Sequence, residues 1–257
     1  MGRGFRLRRR SLRGAGLAVS FLLASCAVPP PPSTPPKHRP AAPAPRTVAD
    51  VLREYGPHVH ERLEPVFARA RADYPPHHVY LLAFKKERKV ELWVDGWKHR
   101  PVFVRSYPIL AASGKAGPKL REGDLQVPEG IYRILYLNPN SHYHLSMKIN
   151  YPNRFDREMA EIDGRTDLGG DIFIHGENLS IGCIAVGDPA IEDLFVLMAE
   201  SGVRNAEVVI APRDLREKPP PKVTKVELRW LPVLYRRISR ALQRFKITAG
   251  RDRVAGR

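Results

Sequence analysis

The sequence predicts a mostly β protein with a few helices, an α+β fold class, and two periodicities lead to that prediction. From Val79 onward, short apolar or alternating runs recur with turn residues between them, which is the pattern of strands. Helical spacing is confined to residues 48–71, 189–200 and 231–245. With 257 residues and no visible repeat, the chain is long enough for one domain with a substantial core.

Seven segments are predicted to form strands. The first three are separated by residues 85–88 and by Asp95-Gly96, so they are predicted to form a meander. The predicted strands are 79–84, 89–94, 101–105, 130–137, 143–149, 171–175 and 206–211.

The first predicted helix covers residues 48–71 and begins after Thr47 or Asp50. Proline in a helix interior removes a hydrogen bond and clashes with the preceding turn, so we expect a break at Gly56-Pro57.

The second predicted helix covers residues 189–200. Asp188 is the expected N-cap, with Pro189 at the first helical position. Gly202 is expected to end the helix in a left-handed conformation, which glycine adopts readily.

The N-terminus has the layout of an export signal, assigned to residues 1–25. Its first 13 residues carry six Arg and no acidic residue, and the apolar stretch that follows is shorter than the roughly 20 residues that span a bilayer. The stretch 23–26 resembles a bacterial lipobox, in which the cysteine, here Cys26, is diacylated and becomes the new N-terminus. Ordinary cleavage near Ser25 or Ala27 is the alternative. The lipobox predicts a periplasmic protein anchored by lipid, and Ala27, which is not acidic, favours the outer membrane.

The next segments set the domain organisation. Residues 26–46 are rich in proline and predict an extended tether that cannot build a core. They are followed by an N-terminal helical segment at 47–78, the main domain at 79–212 and a basic tail at 213–257.

The net charge of +16 is concentrated at the two ends of the chain. Residues 1–25 hold six basic and no acidic residues, and residues 213–257 hold 14 basic and four acidic ones. Residues 26–212 are balanced, with 23 of each sign, so nucleic acid is not an expected partner. The tail favours an anionic partner such as phospholipid, lipopolysaccharide or a wall polymer.

The tail contains a predicted basic amphipathic helix. Two interpretations stay open at this point: its apolar stripe packs on the domain, or the helix makes a second contact with an anionic membrane surface. The stripe consists of Leu231, Leu234, Tyr235, Ile238, Leu242 and Phe245.

The candidate chemistry centres on Cys183, which lies eight residues after His175 in a glycine-rich loop. A histidine near a thiol lowers the thiol pKa or removes its proton during attack, and the following helix is expected to favour the thiolate. Gly182 permits a backbone conformation in which its amide and that of Cys183 point at an oxyanion. A buried, inert cysteine beside a core histidine is the alternative that spacing alone leaves open.

These residues carry a resemblance. His175-Gly176 followed by Ser180-Ile181-Gly182-Cys183-Ile184 resembles the signature of the YkuD-type L,D-transpeptidase family. Further matching stretches resemble its YafK-like branch, and the resemblance covers about residues 79–212. These stretches are 119–132, 138–141, 143–146 and 151–153.

The resemblance implies a β-sandwich-like catalytic domain of an exported enzyme that acts on peptidoglycan peptide stems through a thioester. It implies that Cys183 is the nucleophile and His175 the general base, oriented by the Gly176 carbonyl. It also implies that the Gly182 and Cys183 amides form the oxyanion hole and that Ser180 holds the loop.

Two departures from the common family pattern affect the predicted reaction. The gap between histidine and cysteine is short, and Ala185 stands where the family usually has an arginine. The YafK-like branch shares both departures and is associated with release of a covalently attached outer-membrane lipoprotein from peptidoglycan. Hydrolysis of that bond is therefore the favoured prediction. The alternatives are a transpeptidase that forms crosslinks or attaches lipoprotein, and a wall-binding lipoprotein without catalysis.

Tyr143, His144 and Arg121 are the candidate substrate-binding residues. A zinc site formed by His142 and His144 with the catalytic pair is a weaker alternative, because the cysteine–histidine interpretation accounts for more residues. No metal and no cofactor is therefore predicted. Residues 122 and 124 either read charged centres of the stem or hold a turn. The three tryptophans are expected to pack in the core rather than bind sugar; they are Trp93, Trp97 and Trp230.

Overall fold

The computed structural model of the protein describes residues 44–96, 98, 100–222 and 228–246. The predicted signal peptide, Cys26, most of the tether and Trp97 lie outside the described residues.

Eight strands and four α-helices make up the described part of the chain. All seven predicted strands are present, and those at 79–84 and 206–211 have the predicted bounds. The helices are α1 Val48–Ala70, α2 Arg154–Ile162, α3 Asp188–Ser201 and α4 Leu231–Leu242. The strands are β1 Val79–Phe84, β2 Lys89–Asp95, β3 Pro101–Pro108, β4 Gly130–Ser141, β5 His144–Ile149, β6 Phe173–His175, β7 Ile184–Ala185 and β8 Ala206–Ala211.

The strands form one mixed sheet in the order β3-β2-β1-β8-β4-β5-β6-β7. The pairs β1–β8 and β6–β7 are parallel, and the other neighbours are antiparallel. The long strand β4 joins two halves, because residues 130–133 pair with β8 and residues 134–141 pair with β5. The predicted α+β class is confirmed, and β6 and β7 lie together at one edge of the sheet.

Both faces of the central strands are covered. Alternate residues of a strand point to opposite faces, and in β1 Leu81 and Ala83 enter one core cluster while Leu82 and Phe84 enter the other. Helices α1 and α3 pack on the first face, and α4 covers the second. Burial on both faces explains why β1 has an almost continuous apolar sequence.

Helix α1 runs without interruption through Gly56-Pro57, so the predicted break is wrong. The start is as predicted, because Thr47 and Asp50 form a reciprocal capping box. The helix buries an apolar stripe on both sides of Pro57, and this packing outweighs one lost backbone hydrogen bond. The stripe comprises Val51, Val59, Leu63 and Phe67.

The predicted N-cap of α3 is also wrong. Gly187 occupies the capping position, and Asp188 is the first helical residue. The Asp188 carboxylate instead accepts a hydrogen bond from the Glu177 amide at 2.7 Å, which ties the helix start to the loop after β6. The helix ends at Ser201, and Gly202 has a positive φ of 82° but a ψ of 125°, outside the left-handed helical region.

Helix α4 packs its apolar stripe against the sheet, which decides between the two interpretations of that stripe. Ile238, Leu242 and Phe245 are fully buried there, and the Tyr235 hydroxyl donates to Glu129 Oε2 at 2.9 Å. These apolar side chains are therefore not free to enter a membrane, and the basic side of the helix faces outward. Within the described ranges, no helix combines the length and the apolar character needed to cross a bilayer.

Two elements were not predicted. Strand β7 has only two residues, too few for a periodic signal. Helix α2 does carry a signal, because Asn153 and Asp156 form a capping box that the sequence displays.

Candidate active site

The β6–β7 edge brings the two candidate catalytic residues together. Strand β6 ends at His175, and Cys183 directly precedes β7. The parallel register pairs Ile174 with Ile184 and His175 with Ala185, so Cys183 lies beside the start of β6, next to the backbone of Phe173. The register therefore places Cys183 opposite Phe173, two residues before His175 on the neighbouring segment.

The imidazole of His175 is buried and held in one orientation. Its Nδ1 lies 2.7 Å from the Gly176 carbonyl oxygen, which can only accept, so Nδ1 carries a proton and Nε2 is the free base. Burial lowers the pKa of His175, which keeps the ring neutral at pH 7. The Tyr143 ring lies against it, with centroids 4.6 Å apart and planes tilted by 35°.

Cys183 is a neutral thiol in this environment. Burial raises its pKa, and the Sγ–H group points at the Asp171 carbonyl at a distance of 3.7 Å. Burial acts against the expected effect of the following helix on the thiolate, and that effect stays a prediction.

The loop before Cys183 is fixed by two short hydrogen bonds. The Ser180 hydroxyl donates to the Cys183 carbonyl at 2.6 Å, a contact that holds the loop closed on itself. The Gly182 amide, with Gly182 at φ 91°, donates to Ser113 Oγ at 2.6 Å. In this structure the Gly182 amide is therefore engaged, contrary to the expectation that it points at an oxyanion, and the Cys183 amide is left as the candidate donor.

Ser113 was missed by the sequence reasoning. It accepts from Gly182 and donates to the Leu125 carbonyl at 2.7 Å, so it joins the Cys183 loop to the segment 119–126. A contact across 69 residues leaves no periodic signal in the sequence. The only available indication was the small, turn-forming pair Ser113-Gly114.

Gly176 occupies a position that a side chain cannot. A Cβ atom there would lie 2.5 Å from Asp188 Oδ1 and 2.9 Å from the Tyr143 carbonyl oxygen. The absence of a side chain lets the turn after His175 pass close to β5 and to the start of α3.

The segment 119–126 is organised by Asp124. Its carboxylate accepts from the Lys119 ammonium and from the amides of residues 120, 121 and 126, at 2.7 to 3.1 Å. Asp124 thus holds a turn, which was one of the two predicted roles. Arg121 lies exposed in this turn, and its predicted contact with substrate stays a prediction. Lys119 is nearly buried, and its charge acts on Cys183 to lower the thiol pKa, against the larger effect of burial.

The side chain of His144 makes different contacts from that of Tyr143. Its Nε2 lies 3.0 Å from Glu192 Oε1 on α3, and its ring meets the edge of Tyr55 on α1. Tyr143 lies against His175, whereas His144 is paired with Glu192. The predicted contact of both residues with substrate stays a prediction.

Exposed apolar side chains surround the site. Leu179 and Ile181 in the Cys183 loop are 65% and 73% exposed. Leu110, Leu125 and Tyr143, which adjoin β7, Ser113 and His175 respectively, are also exposed. An apolar rim of this kind marks a binding surface.

A metal centre finds no support at the histidines in the portion of the chain described. There, no group of three or more His, Cys, Asp or Glu side chains is arranged to hold a metal ion.

Comparison with known proteins identifies the family. The model of the YkuD family, an L,D-transpeptidase catalytic domain, matches residues 78–224, more than half of the chain. The chain belongs to the YkuD L,D-transpeptidase family. The resemblance read from the His175–Ile184 motif is thereby confirmed.

Two curated relatives are similar to part of the chain. Both are described as putative L,D-transpeptidase YafK, from Escherichia coli K12 and O157:H7, and each is 36% identical over 119 residues. The match covers 46% of this chain and 46% of each relative, so this YkuD-family chain spans about half the length of the curated relatives it matches.

Solved structures give more distant similarities. The helical cell shape determining protein Pgp2 from Campylobacter jejuni is 23% identical, with a TM-score of 0.44 over 56% of this chain and 50% of that chain. Bd1075 from Bdellovibrio bacteriovorus is 19% identical, with a TM-score of 0.39 over 68% of this chain and 59% of that chain.

Proposed function

We propose that this protein acts on the peptide stems of peptidoglycan through a thioester formed on Cys183, with His175 as the base. The observation that carries the proposal is the orientation of His175: its Nδ1 is bound to the Gly176 carbonyl, which leaves Nε2 as a neutral base on the strand beside the thiol. The raised pKa of Cys183 and the lowered pKa of His175 suit a proton transfer that accompanies attack.

The proposed reaction has two halves. In the first, the Cys183 Sγ bonds to a stem carbonyl carbon while its proton passes to Nε2 of His175, and the oxyanion is bound by the Cys183 amide. Collapse breaks the carbon–nitrogen bond, and the leaving amine takes the proton. In the second half, His175 removes a proton from water or from an acceptor amine as that group attacks the thioester carbon. The carbon–sulfur bond then breaks, and the proton passes from His175 to Sγ, which regenerates the enzyme.

The favoured second half is hydrolysis, which would release a lipoprotein covalently attached to peptidoglycan. Its support is the short loop between His175 and Cys183 and the presence of Ala185. Ala185 is fully buried and pairs with His175 and Ala111, so this strand offers no cation to a substrate carboxylate. Transfer to an amine, forming crosslinks or attaching lipoprotein, is the alternative, because both reactions share the acyl-enzyme.

The decisive experiment for the thioester is intact-mass measurement after exposure to a carbapenem. The unchanged protein should gain the mass of one acyl group, and Cys183→Ala should gain none. His175→Ala should gain the group far more slowly, because the thiol then lacks its base. An adduct that forms equally on Cys183→Ala would refute the role of this cysteine.

A second experiment separates the two reactions. Purified protein is incubated with peptidoglycan that carries covalent lipoprotein, and the products are identified by mass spectrometry. Release of lipoprotein with stem residues is expected. New crosslinks without release would favour transpeptidation, and no product, together with no acyl adduct, would favour a wall-binding protein without catalysis.

We also propose an exported, periplasmic location, with a lipid on Cys26 holding the protein at the outer membrane and the basic side of α4 facing an anionic surface. The lipobox-like sequence and the outward-facing arginines of α4 support this proposal. Palmitate labelling that persists in Cys26→Ala would contradict it.

A further inference from the structure

A cationic cavity of about 360 Å³ lies next to the Cys183 loop. Ser113 belongs to its wall and also accepts the Gly182 amide hydrogen bond, so this one residue separates the cavity from the residue before Cys183. A further hydrogen bond holds the segment that carries Ser113, because the Lys115 amide donates to Gln126 Oε1 at 2.5 Å.

The charges around the cavity are of one sign. Lys85, Lys86, Lys115 and Arg213 line it, and none of its lining residues is acidic. Lys85 is already used, since its ammonium donates to Glu129 and to two backbone carbonyls. Across the described ranges, the side chains of the other three form no ion pair.

Arg213 supplies a second, independent observation. Its Nε atom is buried and has no hydrogen-bond partner in the described part of the chain. A buried donor without a partner is costly, and such groups are rare unless a ligand or water satisfies them. Because Arg213, Lys86 and Lys115 line the same cavity, an anionic oxygen bound there would meet cations and no carboxylate.

We propose that Lys86, Lys115 and Arg213 form a subsite that binds a carboxylate of the peptide attacked by Cys183. This inference rests on the proposed function, because peptide stems supply the carboxylate. Ala185 leaves the strand of Cys183 without a cation, and the cavity provides three cations on the other side of Ser113. Binding energy at this remote point would position the reacting carbonyl at the thiol.

The test is a binding measurement on the full chain carrying Cys183→Ala, which cannot turn over. Isothermal titration calorimetry compares a stem tetrapeptide with free carboxylates and the same tetrapeptide with its carboxylates converted to amides. The carboxylate form should bind at least about 10-fold more tightly, as expected for a charge-assisted contact, and added salt should reduce the difference.

Variants locate the preference. Arg213→Gln and the double variant Lys86→Gln with Lys115→Gln should each remove most of it. Lys86 and Lys115 are exposed, so the double variant tests the subsite even if Arg213→Gln fails to fold. Arg204 is exposed and precedes the start of β8, whereas Arg213 follows the end of that strand. Arg204→Gln removes one charge and should leave the preference unchanged.

Equal affinity for the two peptides, or a preference that survives in the cavity variants, would overturn the subsite. Loss of the preference in Arg204→Gln as well would assign it to net charge and would also overturn it. The carbapenem adduct on Cys183 is measured separately. An adduct without a carboxylate preference refutes the subsite alone, and a preference without an adduct refutes the thioester alone.

Discussion

On the face of the sheet that α4 covers, apolar side chains are enclosed and polar ones are paired, whereas the β6–β7 edge leaves both kinds incompletely satisfied. Under α4, Trp93 is buried and its indole donates to Glu91, which also receives two hydrogen bonds from Arg216. At the edge, Leu179 and Ile181 stand in solvent.

The titratable groups differ in the same way. Under α4, the carboxylates of Asp214 and Glu91 raise the pKa of Arg216 despite its burial, so they stabilise its charged form. His175 is buried and Cys183 is partly buried, neither has a charged partner of this kind, and burial shifts the pKa of each so that the neutral form is favoured. The first region is organised for stability, and the second keeps unused capacity for binding and proton transfer.

The largest expected effect is on the rate of acylation of Cys183 and leaves the packing under α4 unchanged. His175→Ala should slow acylation of Cys183 by about 10²- to 10⁴-fold, the usual contribution of a general base. In the unchanged protein, acylation should fall as the pH drops below the lowered pKa of His175, because the protonated ring is no longer a base. Stopped-flow or timed mass spectrometry measures both, and a rate independent of His175 would contradict the comparison.

The second expected effect lowers the stability of the fold and leaves acylation of Cys183 nearly unchanged. Phe245→Ala removes a fully buried ring that packs against Tyr80 and Trp93, so unfolding should become easier by about 3–5 kcal/mol in urea titrations. Acylation of the folded fraction should change little. Val233→Ala, on the exposed side of α4, is the control and should stay within about 0.5 kcal/mol.

The third effect is a pH dependence on the α4 side of the sheet. Burial raises the pKa of Asp156 to about 6 from 3.8, so its protonated form stabilises the fold below pH 3.8, and this stability is lost as pH rises through about 6. Relative to the wild type, Asp156→Asn should gain up to about 3 kcal/mol between pH 4 and pH 7. Glu158→Gln, exposed on the same helix, should show no such trend; a flat difference for Asp156→Asn would refute the assignment.

The smallest expected effect sharpens the description of the edge. Ser113→Ala removes the acceptor of the Gly182 amide and the donor to the Leu125 carbonyl, and it should cost about 2 kcal/mol in stability, the net value of two hydrogen bonds. Acylation should also change, because the loop before Cys183 is released. An exposed serine on β3, Ser106→Ala, is the control, and identical acylation rates in the two variants would show that Ser113 does not position the loop.

Local patterns were sufficient for most elements. Short apolar runs bounded by turn residues gave β1 and β8 with the observed bounds, and Thr47 and Asp50 marked the start of α1. The motif from His175 to Ile184 was enough to suggest the family, because a short loop between a strand and a nucleophile is encoded in contiguous residues.

Other features depended on partners far away in the chain. Pro57 was expected to end a helix, but burial of α1 against the sheet holds the helix together. Asp188 was expected to cap α3, but its carboxylate binds the loop after β6. In both cases a local preference competed with a tertiary contact, and the tertiary contact was the stronger.

By itself, the sequence predicted the α+β class, the positions of seven of the eight described strands and the candidate pair His175 and Cys183, because each of these follows from residues near one another in the chain. Only the tertiary structure decided the protonation states of that pair, the engagement of the Gly182 amide by Ser113 and the side of α4 that stays free. These depend on burial and on contacts between distant segments, and burial exists only once the sheet and its helices have packed.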